Sequence, residues 1–317
     1  MSARQSPIRI GISSCLLGER VRWDGDHKQD SYIRRTLGEL FEFVPVCPEV
    51  GIGLGVPRPP IRLVGDPEAP RLVGVEDADL DVTGAMQRFG RRQARHLGDL
   101  DGYIFKSKSP SCGMKGVKLH TDQGMKRQGV GLYAREFMAA NPLIPCEEDD
   151  RLGDPALRDN WLERVFTWHR WRQLRRRRLT ARRLADFHAR HRLAIMTHGQ
   201  ASCRALDDLI ARIGTHPLPE LADRYIVLLM ETLKRRATPR RHSNVLHRLM
   251  GHLKRALSPE DRQELLELTD AYCLGKVPRT VPLALLKHHF RKHPHPDVTD
   301  QTYLNPGPAE LRLRSFY

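Results

Sequence analysis

The sequence has no long hydrophobic run and few cysteines. No stretch approaches the roughly eighteen uninterrupted apolar residues of a membrane span. The first residues, MSARQSPIRIGIS, lack the apolar segment and the cleavage site of a secretory signal. Six cysteines in 317 residues do not make a disulfide scaffold, and no internal repeat is evident. We therefore expect a soluble, cytoplasmic protein whose cysteines are metal ligands, nucleophiles or small core residues.

The positive charge of the chain lies entirely in its second half. Residues 1–155 contain 22 basic and 22 acidic residues, so the whole net charge of +15 falls in 156–317, together with 12 of the 15 histidines. Segment 141–155, NPLIPCEEDDRLGDP, has the Pro/Gly content and acidic run of a linker. Because 317 residues also exceed the usual size of one domain, we predict a neutral domain over 1–150 and a basic domain over 156–317.

The basic domain has the pattern of a helical protein. Residues 161–196 place apolar side chains three and four apart between arginines, with no internal Pro or Gly. Further helical patterns cover 225–237, 244–257 and 264–276, the last behind an N-cap at Ser258 with Pro259 in the first turn. We predict an all-α C-terminal domain.

A single arginine run is most often a solvated helix face, but an excess of +15 in one domain predicts a polyanionic partner. A membrane surface is the rival to nucleic acid, and no amphipathic anchor with an aromatic face is visible. We therefore favour nucleic acid and expect no membrane partner. The candidate RNA contacts are Arg172, Arg175, Arg176, Arg177 and Arg178.

The first domain alternates strand and helix patterns, which predicts an α/β module with a mainly parallel sheet. Strand-like segments 8–13, 41–46 and 101–109 run into Cys15, Cys47 and Cys112 respectively. Because ligand crevices of such sheets lie beyond the carboxyl ends of the strands, we expect the three thiols to meet there.

Several roles remain open for three convergent thiols. They could be unrelated core residues, zinc ligands without the usual close Cys pairs, a nucleophile without an evident histidine partner, or three ligands of an iron–sulfur cubane with one open iron. The other cysteines lack this setting: Cys146 falls in the predicted linker, and Cys203 and Cys273 in helical patterns, where we expect small buried residues.

Four segments of the first domain resemble the TudS-type thiouracil desulfidases. They are SSCLLG, the WDG turn at 23–25, CPEV followed by GIGLGVPRPP, and KSKSPSCG. The second half resembles the helical domain often fused behind them, through NVLHRLMGHLK and LGKVPRTVPLALLKHH. The resemblance covers nearly the whole chain. Its two-domain arrangement resembles the branch that removes sulfur from 4-thiouridine in tRNA.

The resemblance implies a 4Fe–4S cluster held by Cys15, Cys47 and Cys112, with a fourth iron open to the sulfur of the substrate. It places the catalytic glutamate at Glu49 and the catalytic serine at Ser109. The residues expected around the substrate are Asp24, Ser14, Arg58, Lys106 and Ser111, with Lys108 as a further candidate for anion contacts.

The residue chemistry agrees with this reading. An iron bound to a thione sulfur acts as a Lewis acid, and a carboxylate at Glu49 is placed to deprotonate water. Free thiouracil is the alternative substrate. A non-enzymatic iron–sulfur sensor that binds nucleic acid is the alternative function, and it has no need of the glutamate and the serine.

Overall fold

The protein divides into two compact units in the computed structural model, which describes residues 6–77 and 79–307. The units are Met1–Trp161 and Leu162–Tyr317, and each is described by itself below. No helix of the described residues is long and apolar enough to cross a membrane. The division falls a little beyond the predicted linker.

The first unit contains all eight strands of the described chain. They are β1 (Arg9–Ser13), β2 (Glu42–Val46), β3 (Ile61–Gly65), β4 (Pro70–Gly74), β5 (Gly102–Phe105), β6 (Val117–Thr121), β7 (Gly124–Gly129) and β8 (Cys146–Glu148). They form two four-stranded sheets, in the orders β2-β1-β5-β8 and β4-β3-β6-β7.

The strand pairs of the first sheet are all parallel. Central strand β1 aligns Ile12 with Pro45 of β2 and with Ile104 of β5, so the carboxyl ends of three neighbouring strands lie side by side. Both isoleucines are fully buried, as expected for a sheet covered on both faces. The predicted parallel sheet of an α/β module is confirmed.

The second sheet was not predicted from the sequence. Its β3 and β6 are parallel, while β4 and β7 are antiparallel edge strands. Strand β7 has five exposed residues followed by a buried glycine, so it lacks the alternation by which a half-buried strand is usually found.

Four α-helices lie wholly within the described part of the first unit: α1 (Ser31–Arg35), α2 (Pro48–Gly51), α3 (Thr83–His96) and α4 (Leu132–Ala140). The aromatic rings of Tyr133 and Phe137 on α4 pack against Tyr103 and Phe105 of β5, with centroid separations of 4.8–6.1 Å. This cluster fastens α4 to the sheet strand that leads to Cys112.

The second unit is all-α, as predicted. Its helices are the later part of α5 (Pro155–Arg176), then α6 (Ala181–His198), α7 (Gln200–Ala211), α8 (Leu218–Lys234), α9 (Pro239–Leu253), α10 (Pro259–Cys273), α11 (Thr280–Lys292) and α12 (Pro296–Thr299). Leucines of α9, α10 and α11 share one hydrophobic core with residues of α6 and α12. The predicted cap is confirmed, since the Ser258 side chain accepts the backbone N–H of Asp261 at 3.1 Å.

Three details differ from the sequence predictions. The continuous helical pattern of 161–196 is interrupted at 177–180, where the Thr180 side chain accepts the N–H of Arg183 and starts α6. The predicted linker contains β8, and Cys146 is a buried strand residue within it. Cys273 is exposed because it is the last residue of α10, whereas Cys203 is buried as expected.

Candidate functional site

The three predicted cysteines follow the carboxyl ends of β1, β2 and β5. Cys15 lies in a short 3-10 helix directly after β1, and Cys47 is the N-cap of α2, with Pro48 at its first position. Cys112 lies in the loop behind β5, and its side chain is almost fully buried. The parallel sheet therefore brings together thiols that are far apart in the sequence.

A cavity of about 290 Å³ opens at this edge of the sheet. All three cysteines line it, together with the predicted catalytic residues and a rim of basic and aromatic side chains. The lining includes the three cysteines, Trp23 and the following polar or charged residues: Ser13, Ser14, Arg22, Lys28, Glu49, Arg58, Lys106, Ser107, Lys108 and Ser109. The first unit therefore contains a ligand-sized cavity with a concentrated set of polar groups, which is the usual form of an active site.

The thiols are not activated as nucleophiles by their surroundings. Burial, and next the charge of Glu49, raise the pKa of Cys15 to about 11 and that of Cys47 to about 12. The same two causes raise the pKa of Cys112. A nucleophilic cysteine needs the opposite shift, from a neighbouring cation or a histidine. Buried thiols of this kind lose their protons readily to a bound metal.

The sulfur atoms of the three cysteines do not all lie within 4.8 Å of one another. Zinc holds thiolates at about 2.3 Å, which brings their sulfurs within about 4 Å of one another. In the described part of the chain, the group of three His, Cys, Asp or Glu ligand atoms within 4.8 Å of one another is His252, His295 and Asp297. The three cysteines are not such a group, so their donor set fits a wider inorganic core better than one ion.

Glu49 is held at the cavity wall by its neighbours. Its Oε2 lies 3.4 Å from the Sγ of Cys47 and 3.9 Å from the Nη2 of Arg58. The Glu49 side chain is mostly buried, with an edge that faces the cavity. A carboxylate at this position can exchange a proton with a small molecule bound beside the thiols.

Ser109 is fixed by the loop that carries Cys112. Its Oγ accepts the backbone N–H groups of Ser111 at 3.2 Å and Cys112 at 3.1 Å. With both lone pairs of the oxygen used, the hydroxyl hydrogen remains to donate. Since Ser109 lines the cavity, this hydrogen can be offered to a bound ligand.

The remaining predicted site residues fall into two groups. Ser14, Arg58 and Lys106 line the cavity. The Ser14 hydroxyl is buried without a hydrogen-bond partner among the described residues, and Lys106 is bound to Asp149 at 2.6 Å. Asp24 and Ser111 are not among the lining residues.

Asp24 shapes the turn beside the cavity. Its carboxylate accepts the N–H of Asp26 at 3.2 Å and binds Arg22 at 3.1 Å. Ser111 is fully buried, and its hydroxyl has no partner among the residues that the structure describes.

The predicted arginines lie in the second unit, at the end of α5 and just beyond it. Arg175 to Arg178 are exposed, and Arg172 is partly buried. The Nη2 of Arg175 lies 3.5 Å from a carboxylate oxygen of Asp223, an exposed pair that leaves most of its charge in solvent.

Sequence reasoning missed several cavity residues. The Oγ of Ser13 accepts the N–H of Lys106 at 2.9 Å, and its hydroxyl is hydrogen-bonded to the Cys112 sulfur. Asp149 does not line the cavity, but it anchors the loop after β5 by accepting the N–H of Ser107 at 2.6 Å. Trp23 and Lys28 lie on the rim. The one sequence signal for a role of Ser13 was its position at the end of β1, two residues before Cys15.

The fold and the site define an α/β module with a thiol-lined cavity at the carboxyl edge of a parallel sheet. Residues 10–149 match the family described as 2-thiouracil desulfurase, and residues 192–308 match one described as a protein of unknown function, DUF1722.

Three proteins of known sequence or structure are similar to this chain, and each match spans nearly the whole length of the similar protein. Uncharacterized protein YbgA of Escherichia coli (strain K12) is 31% identical over 157 residues, covering 49% of this chain and 93% of YbgA. Uncharacterized protein YbbK of Bacillus subtilis (strain 168) is 30% identical over 146 residues, covering 44% of this chain and 96% of YbbK. The solved structure of the 4Fe-4S-dependent thiouracil desulfidase TudS is 30% identical and covers 47% of this chain and 96% of its own, with a TM-score of 0.39. The chain belongs to the 2-thiouracil desulfurase family through its first unit, and its second unit contains a DUF1722 domain.

Proposed function

We propose that this chain is a desulfidase that hydrolyses the thiocarbonyl group of a thiolated uracil, with 4-thiouridine in tRNA as its substrate. The observation that carries the proposal is the convergence of Cys15, Cys47, Cys112, Glu49 and Ser109 on one cavity. The description of the matched family supports a thiolated uracil as the reacting base. The positive charge of the second unit supports RNA as the molecule that carries this base.

The three cysteines would hold a 4Fe–4S cluster with one open iron. Their separation, and the raised pKa values that burial gives Cys15 and Cys47, fit such a group better than zinc or a nucleophilic thiol. When bound, the cluster supplies a Lewis acid that draws electron density from the thiocarbonyl carbon through its sulfur.

Glu49 acts as the proton acceptor and donor of the reaction. It removes a proton from a water molecule whose oxygen forms a bond to the thiocarbonyl carbon. The carbon–sulfur bond then breaks, its electron pair leaves with the sulfur, and Glu49 returns the proton. The products are uridine and hydrogen sulfide, whose second proton comes from the added hydroxyl group as the new carbonyl forms. Because the oxygen comes from water, no oxidant or reductant is consumed.

Ser109 orients the base by donating its free hydroxyl hydrogen. The oxygen is already fixed by two backbone N–H groups, so the direction of donation is set by the loop rather than by the ligand. A preorganised donor of this kind acts on charge that develops during the reaction without a cost of reorientation.

The second unit would hold the tRNA through its excess positive charge. Arginines in exposed positions bind phosphates and release condensed counterions, which makes the binding salt-dependent. Unstacking the modified nucleotide costs a few kcal/mol, and contacts to the phosphate backbone can offset that cost.

The proposal is tested by anaerobic incubation of cluster-reconstituted protein with 4-thiouridine-containing tRNA, at low and high salt, with free 2-thiouracil in parallel. We expect sulfide release from tRNA that weakens with salt. The variant Glu49→Gln should keep the brown cluster absorbance and lose activity by about 10²- to 10⁴-fold.

Glu42→Gln is the matched control, because Glu42 is exposed on β2 and does not line the cavity. Full activity in Glu49→Gln would show that Glu49 is not the proton acceptor and donor of the reaction. Turnover of the free base alone would contradict the tRNA substrate, and no turnover of either would contradict the desulfidase.

A further inference from the structure

Two histidines that are 43 residues apart in the sequence meet in the second unit. His252 lies near the end of α9, and His295 directly precedes α12. The Nδ1 of His252 is 3.4 Å from the Nε2 of His295, and the ring centroids are 4.4 Å apart. A nitrogen of each ring and a carboxylate oxygen of Asp297 all lie within 4.8 Å of one another. Three side chains of the kinds that bind metal ions therefore converge at one place.

The backbone that carries the His295 ring is fixed by its own sequence. Proline stands on both sides of His295, and a residue before proline favours extended backbone, which His295 adopts with a φ of −129° and a ψ of 127°. The carbonyl of His295 accepts the N–H of Val298 at 3.0 Å. Val298 is buried in the same hydrophobic core as Leu253, the neighbour of His252 on α9. The two rings are therefore held opposite each other by packing that does not depend on an ion.

The separation of the two ring nitrogens matches that of a zinc site. Zinc binds imidazole nitrogens at about 2.0–2.1 Å in tetrahedral geometry, so two such nitrogens lie about 3.3 Å apart. The distance between the nitrogens of His252 and His295, 3.4 Å, agrees with this value. It is long for a direct hydrogen bond, whose donor and acceptor usually lie about 2.7–3.2 Å apart. The spacing suits a shared ion better than a bond between the two rings.

We propose that His252, His295 and Asp297 bind a zinc ion, with water as the fourth ligand. Two imidazoles and a carboxylate are ligands that zinc accepts. Calcium and magnesium need six or more oxygen ligands, and this group offers one carboxylate. The exposed Arg248, one turn before His252, also opposes a cation that would be held by charge alone. The site involves none of the residues of the thiol-lined cavity, so it is independent of the proposed function.

Binding requires two small adjustments of the ligands. The side chain of Asp297 is 77% exposed, so its carboxylate can turn towards the ion without displacing core residues. The Nδ1 of His295 accepts the backbone N–H of Asp297 at 3.3 Å, which places the ring proton on Nε2. The ion replaces this proton at Nε2, and the proton moves to Nδ1 at the cost of one long hydrogen bond. The bound ion then joins α9 to α12 and stabilises the second unit, because it binds the folded chain.

The binding test is a calorimetric titration of cluster-reconstituted, full-length protein with zinc chloride. We expect one zinc ion per chain, with an affinity that falls more than about tenfold in His252→Asn and in His295→Asn. His247→Asn is the matched control, because His247 is exposed on α9 and is not part of the group. Zinc taken up by cysteines that lack a cluster is the same in all four proteins, so the difference between them reports the histidines. Equal affinities in the wild type and both variants, or an equal loss in the control, would overturn the site.

The stability test follows the thermal unfolding of the second unit by differential scanning calorimetry. Zinc at about 100 times its dissociation constant should raise the Tm by roughly 5–10 °C, an effect that EDTA reverses and that calcium and magnesium do not produce. Asp297→Asn changes an exposed side chain without changing its shape, so it tests the site even if the histidine variants fail to fold. Its zinc-dependent shift should be smaller, and that of the exposed control Asp300→Asn should be complete. A wild-type Tm that zinc does not raise, or an undiminished shift in Asp297→Asn, would overturn the proposal.

Discussion

The Nη2 atom of Arg58 lies 3.9 Å from Oε2 of Glu49, while Nη1 of the same guanidinium donates to the carbonyls of Val21 at 2.8 Å and Gly55 at 2.9 Å. One buried side chain thus fastens two loops and faces the carboxylate that we propose as the proton acceptor. We therefore expect Arg58 to act as a positioning residue, since its hydrogen bonds go to the protein itself.

The variant Arg58→Lys should lower kcat by about 100-fold, because an ammonium cannot reproduce the fork that holds Val21, Gly55 and Glu49 together. Single-turnover sulfide release and the cluster absorbance are the measurements, and the absorbance should be unchanged. Arg71→Lys is the control, because Arg71 is exposed and pairs with Asp81. An Arg58→Lys enzyme with wild-type kcat would contradict the positioning role.

Gly131 allows the Cys112 loop to lie against the start of α4. A Cβ atom there would come within 2.5 Å of the carbonyl of Ser111 and 2.7 Å of the Cys112 nitrogen. These are backbone atoms, so the loop would have to move. We expect Gly131→Ala to lose most of the cluster absorbance after reconstitution.

Gly153→Ala is the matched control, because a Cβ at Gly153 meets no atom within 4 Å. Circular dichroism of both variants separates a local loss at the site from general unfolding. A Gly131→Ala protein that binds the full complement of iron and sulfide would contradict this prediction.

The arginine run at the end of α5 and just beyond it is the surface that we expect to bind RNA. Replacing Arg175 to Arg178 together with glutamine should weaken tRNA binding and make its dependence on salt shallower. The measurement is filter binding at several salt concentrations. Glutamine at Arg91, Arg92 and Arg95 is the control, since these three arginines are exposed on α3 in the first unit. An unchanged affinity for tRNA in the α5 variant would show that the RNA binds to another surface.

The pair of Glu163 and His198 makes the stability of the second unit depend on pH. The Nε2 of His198 lies 3.0 Å from Oε2 of Glu163, and its Nδ1 is hydrogen-bonded to the carbonyl of Arg235. Burial opposes both charges. For Glu163 the charge and hydrogen bond of His198 outweigh burial and lower the pKa from 4.5 to about 2. For His198 the charge of Glu163 outweighs burial and raises the pKa above 6.5.

The pKa of Glu163 is lowered and that of His198 is raised, so the pair stabilises the second unit most over a limited range of pH. The contribution of His198 is fully present below pH 6.5 and is lost as the pH rises through its raised pKa. The contribution of Glu163 is present above pH 4.5 and is lost as the pH falls towards 2. The Tm difference between wild type and Glu163→Gln should therefore be largest between pH 4.5 and pH 6.5. A difference independent of pH, or one matched by the exposed control Glu231→Gln, would contradict the coupling.

The sequence predicted the parallel sheet and the meeting of three thiols because both depend on strong local patterns. Apolar runs that precede Cys15, Cys47 and Cys112 identify the strands, and the rule for parallel sheets places their ends at one edge. The N-cap at Ser258 was equally visible, since Ser-Pro followed by two acids is a local signal.

What the sequence did not reveal depends on contacts between distant segments. Strand β8 is three residues long and its sequence, Cys-Glu-Glu, has the polarity of a loop; only pairing with β5 makes it a strand. The anchoring of Lys106 by Asp149 joins residues 43 apart, and the exposure of Trp23 follows from a turn held by Arg58. No local pattern encodes these relations.

The order of strands β2-β1-β5 has a consequence for biosynthesis. Strands β1 and β2 are made first and can pair as soon as both have emerged, which presents two of the three thiols. The third arrives only when β5, encoded more than fifty residues later, docks on the other side of β1. Such a long-range pairing is a late event in folding. The three sulfurs therefore come together only after β5 has paired with β1, so that assembly of the site depends on one of the longest-range pairings of the sheet.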